Sequence, residues 1–506
     1  MEADESTAAG DRVSTGIDGL DEVLGGGLPR SYTYLIQGPP GTGKTTLALR
    51  FCMAGAARNE RVLYVTTVEP KSDLHMIARS HGWSLDGITI SEHNSQEQDA
   101  EAIEQSVFHP AEVELPRLIE NLLAIIDQIK PQRLVVDSLS EIRLLDADRR
   151  WFRRQVIGLQ RALSHYDCTT LLCDDRLTDK QPVESSVRGV INLELTTPEY
   201  GPDHGRLRVA KLRGSPYASG HHDYRILTGS FDVYPRLVGS DDRHERDSET
   251  ISTGVAELDS LYGGGGLDRG SSVLLLGPAG CGKSIVSSQI VMAAADRGEH
   301  AAVYLFDENI HTFLKRSRSL GMNLRRHVES GSIDVRQVDP AEMTPGEFSH
   351  IVRESVMQNG VRLVVIDSLA GYIHAMPNER LLALHIHELL NYLCNREVTV
   401  LLTMAQHGLP GTPPNSPVDL SYISDSVMLL NHFECKGEIR KAISVYKRRG
   451  GDHERHIREL QFTSGGIRIG EPLTQFRGIL TGNPDFTGTA LPDVTRHDQE
   501  ETLTGS

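Results

Sequence analysis

The sequence predicts an α/β protein written twice: two tandem domains, each a mostly parallel β-sheet flanked by helices. Three observations predict it. A glycine loop of the kind that cradles phosphates occurs as GPPGTGKT at 38–45 and again as GPAGCGKS at 277–284. The surroundings repeat with it: STGIDGLDEVLGGGLPRSYTYLIQGPPGTGKTT (14–46) returns as STGVAELDSLYGGGGLDRGSSVLLLGPAGCGKS (252–284), which puts Lys44 and Lys283 239 residues apart. After each loop, helical stretches alternate with short apolar runs, the pattern of βαβ units in a parallel sheet.

The elements follow in order. Residues 1–11 read as a flexible N-terminus and 12–238 as the first domain, with strands YTYLIQ, RVLYVTTVEP (61–70), QRLVVDSLS (132–140), TTLLC and RLRVAKLRG. Residues 239–250 are polar and charged without hydrophobic period, and read as a linker. The second domain, 251–485, repeats the strands as SVLLL, AAVYLFDENI, VRLVVIDSLA, TVLLT and AISVYKRRG. Residues 486–506 hold too few apolar side chains to fold and read as a disordered tail.

Composition narrows the class. Of 506 residues 39% are hydrophobic and 24% charged, enough to fill more than one core. No apolar run reaches the roughly 18 residues of a membrane span. The start, MEADESTAAG, lacks the order of a signal peptide, so the expected location is the cytoplasm. The six cysteines show no C-x-x-C pair and read as reduced, structural thiols. The net charge of −17 argues against nucleic acid as a partner, because nonspecific binding rests on clustered Lys and Arg. HIH at 385–387 reads as solvated or capping histidines, since i and i+2 do not share a helix face.

In G-x-x-x-x-G-K-[ST], glycines let backbone N–H groups curl around phosphates, the Lys reaches the β- and γ-phosphates, and the hydroxyl ligates Mg²⁺. The candidate ATP-binding residues are Gly38, Gly41, Thr42, Gly43, Lys44, Thr45 and Thr46 in the first copy. In the second they are Gly277, Gly280, Cys281, Gly282, Lys283 and Ser284. Asp137 and Asp367 end apolar strands and are assigned to Mg²⁺ beside Thr45 and Ser284; the plainer reading is a strand-end Asp capping a helix. Glu69 and Glu308 each lie 25 residues beyond the loop Lys, where a group that orients the attacking water belongs. Their neighbours differ: Val68 precedes the first, and Asp307 the second, which therefore has two candidate carboxylates. Two late strands end in KLRG (211–214) and KRRG (447–450). Lys211 with Arg213, and Lys447 with Arg449, read either as an edge defended by charge or as fingers reaching the γ-phosphate of a neighbouring subunit.

Tandem loops with a Gly-rich lead-in, a strand-end Glu, a strand-end Asp and a K-x-R-G segment resemble the KaiC family of the RecA-like superfamily, from about residue 12 to about 485. The most specific stretch is DLSYISDSVMLLNHFECKGEIRKAISVYKRRGGDHERHIRELQFTSGGIRI (419–469). The resemblance implies tandem RecA-like ATPase domains, a double-ring homo-hexamer with ATP between subunits, hydrolysis in the N-terminal ring, and autophosphorylation across interfaces in the C-terminal one. It places the acceptor pair on Ser421 and Tyr422, where the family has Ser and Thr. It also implies a clock-like or signalling role and a KaiB-like partner at the first ring. Residues 487–506 show no amphipathic helix comparable to the family's activator-docking tail, which argues against a KaiA-type activator. Two other readings share the loops: a RecA- or RadA-type DNA-dependent ATPase, and a nucleotide-gated scaffold with little turnover.

Overall fold

Strands rich in Val, Leu and Ile, buried over their whole length, belong in the middle of a sheet covered on both faces. The computed structural model describes residues 11–92, 110–140, 157–175, 184–198, 201–237, 249–374, 379–405, 422–480 and 484–487, and in it the chain forms two such sheets. The chain divides into two compact units, the main body of the first ending at Arg236.

The nine strands of the first sheet are β1 (Thr33–Gln37), β2 (Val62–Thr66), β3 (Ile88–Glu92), β4 (Arg133–Asp137), β5 (Thr169–Asp174), β6 (Gly189–Thr196), β7 (His204–Leu212), β8 (His222–Leu227) and β9 (Ser230–Tyr234). Their order is β3-β2-β4-β5-β1-β6-β7-β8-β9. The first six are parallel; β7 to β9 are antiparallel. The second sheet has β10 (Ser272–Gly277), β11 (His300–Leu305), β12 (Ile333–Gln337), β13 (Val361–Asp367), β14 (Thr399–Ala405), β15 (Ser426–Cys435), β16 (Glu438–Arg448), β17 (Arg458–Thr463) and β18 (Gly466–Pro472). Its order, β12-β11-β13-β14-β10-β15-β16-β17-β18, is the same one again. Both are mixed, mostly parallel sheets flanked by helices, as expected of tandem RecA-like domains.

Period-two alternation sorts the side chains of each strand onto the two faces. In the first sheet Tyr34, Ile36, Tyr64 and Val135 pack with Leu47 and Phe51 of helix α1 (Lys44–Ala56). Leu35, Leu63, Val65 and Val136 pack on the opposite face with Leu122 and Ile126 of the Pro110–Ile129 helix. In the second sheet Val273, Leu275, Val303 and Val365 meet Val286 and Ile290 of α3 (Lys283–Asp296), and α2 (Lys71–Ser80) is repeated as α4 (Ile310–Ser319). All six cysteines are buried and none is in a disulfide. Residues 484–487 return to the fold: Phe486 lies 5.3 Å from Phe476, ring to ring. His385 and His387 of the HIH segment bond Tyr372 and Asn391 respectively. Among the described residues no helix is long and apolar enough to cross a membrane.

Candidate nucleotide sites

Each glycine loop links a central parallel strand to a helix, β1 to α1 and β10 to α3, at the carboxyl edge of its sheet, where open α/β sheets bind ligands. Gly43 and Gly282 are the residues at which the chain turns into the helix, with φ of 86° and 109°. A β-carbon on Gly43 would lie 2.3 Å from the tip of Ile226, and one on Gly282 2.1 Å from the Phe462 ring, so the left-handed conformation favours glycine at both and the ring leaves no room at Gly282. Ile226 and Phe462 belong to the antiparallel strands β8 and β17, which fold over the loops. The Tyr224 hydroxyl, also on β8, donates to the Thr42 carbonyl at 2.8 Å. Thr42 and Cys281 turn their side chains inward, the hydroxyl to the Pro39 carbonyl at 2.8 Å and the thiol into the core. Each offers a ligand its backbone only.

The two lysines lie curled over their own loops. Lys44 Nζ donates to the carbonyls of Gly38 (2.7 Å) and Pro39 (3.1 Å), and pairs with Asp175 at 2.7 Å. Lys283 Nζ donates to Gly277 and Pro278, both at 2.8 Å. Ala405, by register the counterpart of Asp175, offers it no carboxylate. Thr46 is buried at the start of α1.

Asp137 and Asp367 end β4 and β13 beside these loops, and each is followed by a cis peptide bond. Thr45 Oγ1 donates to Asp137 Oδ2 at 2.8 Å, and the Tyr64 hydroxyl donates to the same oxygen at 2.6 Å. Burial and then the Asp137 charge hold the Tyr64 phenol well above its ordinary range. Val303 stands in place of Tyr64 in the second copy, and there the donor comes from the other neighbouring strand: Thr403 Oγ1 to Asp367 Oδ1, 2.5 Å. Asp367 Oδ2 is buried with no hydrogen-bond partner, and the Ser284 hydroxyl donates to nothing among the described residues. A loop hydroxyl without an acceptor and a buried carboxylate oxygen without a donor are hard-oxygen donors of the kind that suit Mg²⁺.

The carboxylates after β2 and β11 are used differently. Glu69 is half-buried, and its Oε2 has no partner. Burial first, then the charges of Asp137 and Asp73, raise its pKa above the ordinary carboxylate value. Val68 is 52% exposed. In the second copy Glu308 is gripped at both oxygens by Arg316, at 2.7 Å each, whereas Asp307 accepts a hydrogen bond from Ser368, the residue after Asp367. Of these two carboxylates, only Asp307 bonds the residue that follows the strand-end Asp.

The K-x-R cations lie at the opposite edge of each sheet. Arg213 N bonds Arg188 O, and Arg188 N bonds Thr33 O, so Arg213 is level with Thr33. That is five residues, about 16 Å at strand rise, before Gly38. The side chains point farther away: Lys211 Nζ to the carbonyls of Glu184 (2.6 Å) and Val187 (2.7 Å), Arg213 to Ser185 (3.0 Å). The second copy repeats this, with Arg449 N on Asp425 O and Asp425 N on Ser272 O, five residues before Gly277. Lys447 Nζ donates to Ser424 at 2.7 Å, and Arg449 donates to the Tyr422 carbonyl at 2.5 Å. Tyr422 is 60% exposed beside them. Ser421 lies outside the described residues. Within one chain the loops and the K-x-R cations are not brought together.

Sequence reasoning missed Tyr64, Thr403, Asp175, Ser368 and Arg316. Tyr64 and Thr403 emerge only from pairing registers, because Tyr64 and Asp137 are 73 residues apart, whereas Arg316 is eight residues from Glu308 and is found only from the side-chain geometry of its helix.

A family profile described as "ATPase: KaiC" matches residues 13–238 and 251–474. The chain is 26% identical over 488 residues to the circadian clock oscillator protein KaiC of Thermostichus vulcanus, covering 95% of this chain and 93% of that one. Against the protein of the same description from Picosynechococcus sp. it is 26% identical over 503 residues, 97% and 96% of the two chains. For that of Synechococcus elongatus the figures are 26% over 481 residues, 94% and 92%. With the fold and both glycine loops repeated in register and the family match spanning most of its length, the chain belongs to the KaiC family of ATPases and carries two tandem copies of the family's domain.

Proposed function

We propose that this KaiC-family ATPase assembles into rings, hydrolyses ATP slowly in its first domain, and in its second transfers phosphate from ATP to its own chain at Ser421 or Tyr422 across the subunit interface. The observation that carries the reading is the separation of loop and K-x-R segment onto opposite edges of each sheet. A chain whose fingers cannot reach its own phosphates completes the site only by stacking head to tail, and such an interface makes a ring where its rotation closes. A homo-hexamer is the ring size typical of the family.

In each site Lys44 or Lys283 gives up its carbonyl partners to bind phosphate. Thr45 with Asp137, and Ser284 with Asp367, would hold Mg²⁺, which supplies charge neutralisation on the phosphates. In the first domain Glu69, with an unpartnered oxygen and a raised pKa, is suited to orient water and take its proton. In the second, Asp307 takes the proton of the acceptor hydroxyl as phosphate moves to that oxygen and ADP leaves, while Arg316 keeps Glu308 from competing. Lys447 and Arg449, beside Tyr422, act on the γ-phosphate of the neighbouring chain.

Mass mapping after incubation with Mg-ATP, beside a Lys283→Ala control, tests the proposal. Phosphate on the 415–430 peptide that disappears in the control supports it. An unmodified peptide despite ATP turnover contradicts the kinase half. For the first domain alone, a nucleotide-gated scaffold is favoured by the Lys44–Asp175 pair, which occupies the loop lysine, and by Val68. An ATPase rate unchanged by Glu69→Gln in a Lys283→Ala background would select it.

A further inference from the structure

The elbow between α4 and the following helix α5 (Leu324–Glu329) borders an open cavity of about 460 Å³ that no nucleotide-site residue lines. His311, Leu314, Lys315 and Arg318 line it from one face of α4, at the i, i+3, i+4, i+7 spacing that stacks side chains on a helix. Met322 and Arg325 line it from the connection and the first turn of α5. No Asp or Glu is among the lining residues. His311, Lys315, Arg318 and Arg325 are exposed and make no ion pair among the described residues. Of the basic side chains nearby that face elsewhere, Arg316 pairs with Glu308 at 2.7 Å and His327 with Asp296 at 3.0 Å, while the exposed Arg326 makes no ion pair among the described residues. In a chain of net charge −17, four basic groups line one cavity with no carboxylate among them.

The duplicated domain supplies the internal comparison. Helices α2 and α4 share length and spacing, offset by the same 239 residues as the loops, so the first copy carries Ser72, Met76, Arg79 and, in a turn, Asp86 where the second has His311, Lys315, Arg318 and Arg325. The helix itself therefore does not require His311 and Lys315, since α2 forms with Ser72 and Met76 in their places; among the described residues the first domain has no helix equivalent to α5, its chain running from α2 through a turn into β3 at Ile88.

We infer that the α4–α5 elbow of the second domain is an anion site distinct from the two glycine loops, and that it takes a metabolite-sized polyanion bearing at least two phosphoryl groups. Three permanent cations match the charge of such a ligand, and the two guanidinium groups suit bidentate contact with phosphate oxygens. The volume lies in the range of small-molecule sites. Leu314 and Met322 offer an apolar wall for the rest of the ligand.

The test is calorimetric titration of the full-length chain, presaturated with ADP to fill the glycine loops, with inorganic pyrophosphate. Saturable binding at one site per chain is expected. It should weaken by at least about tenfold in Arg318→Glu/Arg325→Glu and stay unchanged in Arg79→Glu, the matched position on α2 of the first domain. A Lys44→Ala/Lys283→Ala chain should still bind pyrophosphate, which keeps this outcome separate from the fate of the nucleotide reading. If the charge-reversed chain does not fold by circular dichroism, Arg318→Gln/Arg325→Gln replaces it, with the same direction of loss. The inference is overturned by absence of saturable binding, or by equal loss in the Arg79 and Arg318/Arg325 variants. Arg318-dependent binding of a 20-mer single-stranded oligonucleotide tighter than that of pyrophosphate would also overturn it, making the elbow part of a nucleic-acid surface.

Discussion

A carboxylate at the end of a buried strand needs a hydrogen-bond donor whether or not it meets a metal, and the two domains recruit that donor from opposite sides. Tyr64 on β2 serves Asp137, while Thr403 on β14 serves Asp367. Tyr64→Phe keeps the packing and removes one donor from a charged acceptor, so the first domain should lose about 1.5–3 kcal/mol, read from its denaturant midpoint. Glu69 carries a pH prediction. A proton acceptor must be ionised, so first-domain turnover falls as pH drops through its pKa, and that pKa is raised by burial, Asp137 and Asp73. The acid limb of the ATPase profile, measured in a Lys283→Ala background, should therefore lie above the ordinary carboxylate range. Asp73→Asn should move it to lower pH. In the second domain, Arg316→Ala frees Glu308 next to Asp307, and phosphorylation of the 415–430 peptide should change in rate while ATP affinity holds.

At the scale of elements, the parallel half of each sheet was legible because its strands are short apolar runs separated by helical stretches, and a duplicated chain shows every such run twice. Asp137, Asp367 and the glycine loops could be placed for the same reason: each sits where a strand must end. The hairpins β8–β9 and β17–β18 were harder to read, being half-buried with apolar residues thinly spaced, as in HDYRIL and SFDVY. They matter to the site, since Ile226 and Phe462 press on Gly43 and Gly282. Gly282→Ala should therefore abolish ATP binding by the second domain, measured with a fluorescent ATP analogue on a Lys44→Ala chain; affinity within threefold of the parent would contradict the packing argument. The roles of Glu308 and Asp175 were not legible, because nothing in local spacing says that Arg316 will claim the first or that the second will reach Lys44.

At the scale of the whole molecule, the two domains keep one topology and vary its chemistry: Val68 against Asp307, Asp175 against Ala405, Tyr64 against Val303. The first holds its loop lysine in an ion pair; the second leaves Asp367 Oδ2 open. The central claim is that a working second site takes its loop from one chain and its fingers and acceptor from the next. Mixing Lys283→Ala chains with Arg449→Ala chains under exchange conditions, each with a distinct mass tag, tests it most directly. A Lys283→Ala chain keeps its fingers and acceptor and lacks a loop, while an Arg449→Ala chain keeps its loop. The account predicts that neither chain is phosphorylated alone, and that in the mixture phosphate appears on the 415–430 peptide of the Lys283→Ala chain only. Phosphate on neither chain of mixed assemblies, or on the Arg449→Ala chain instead, would contradict it.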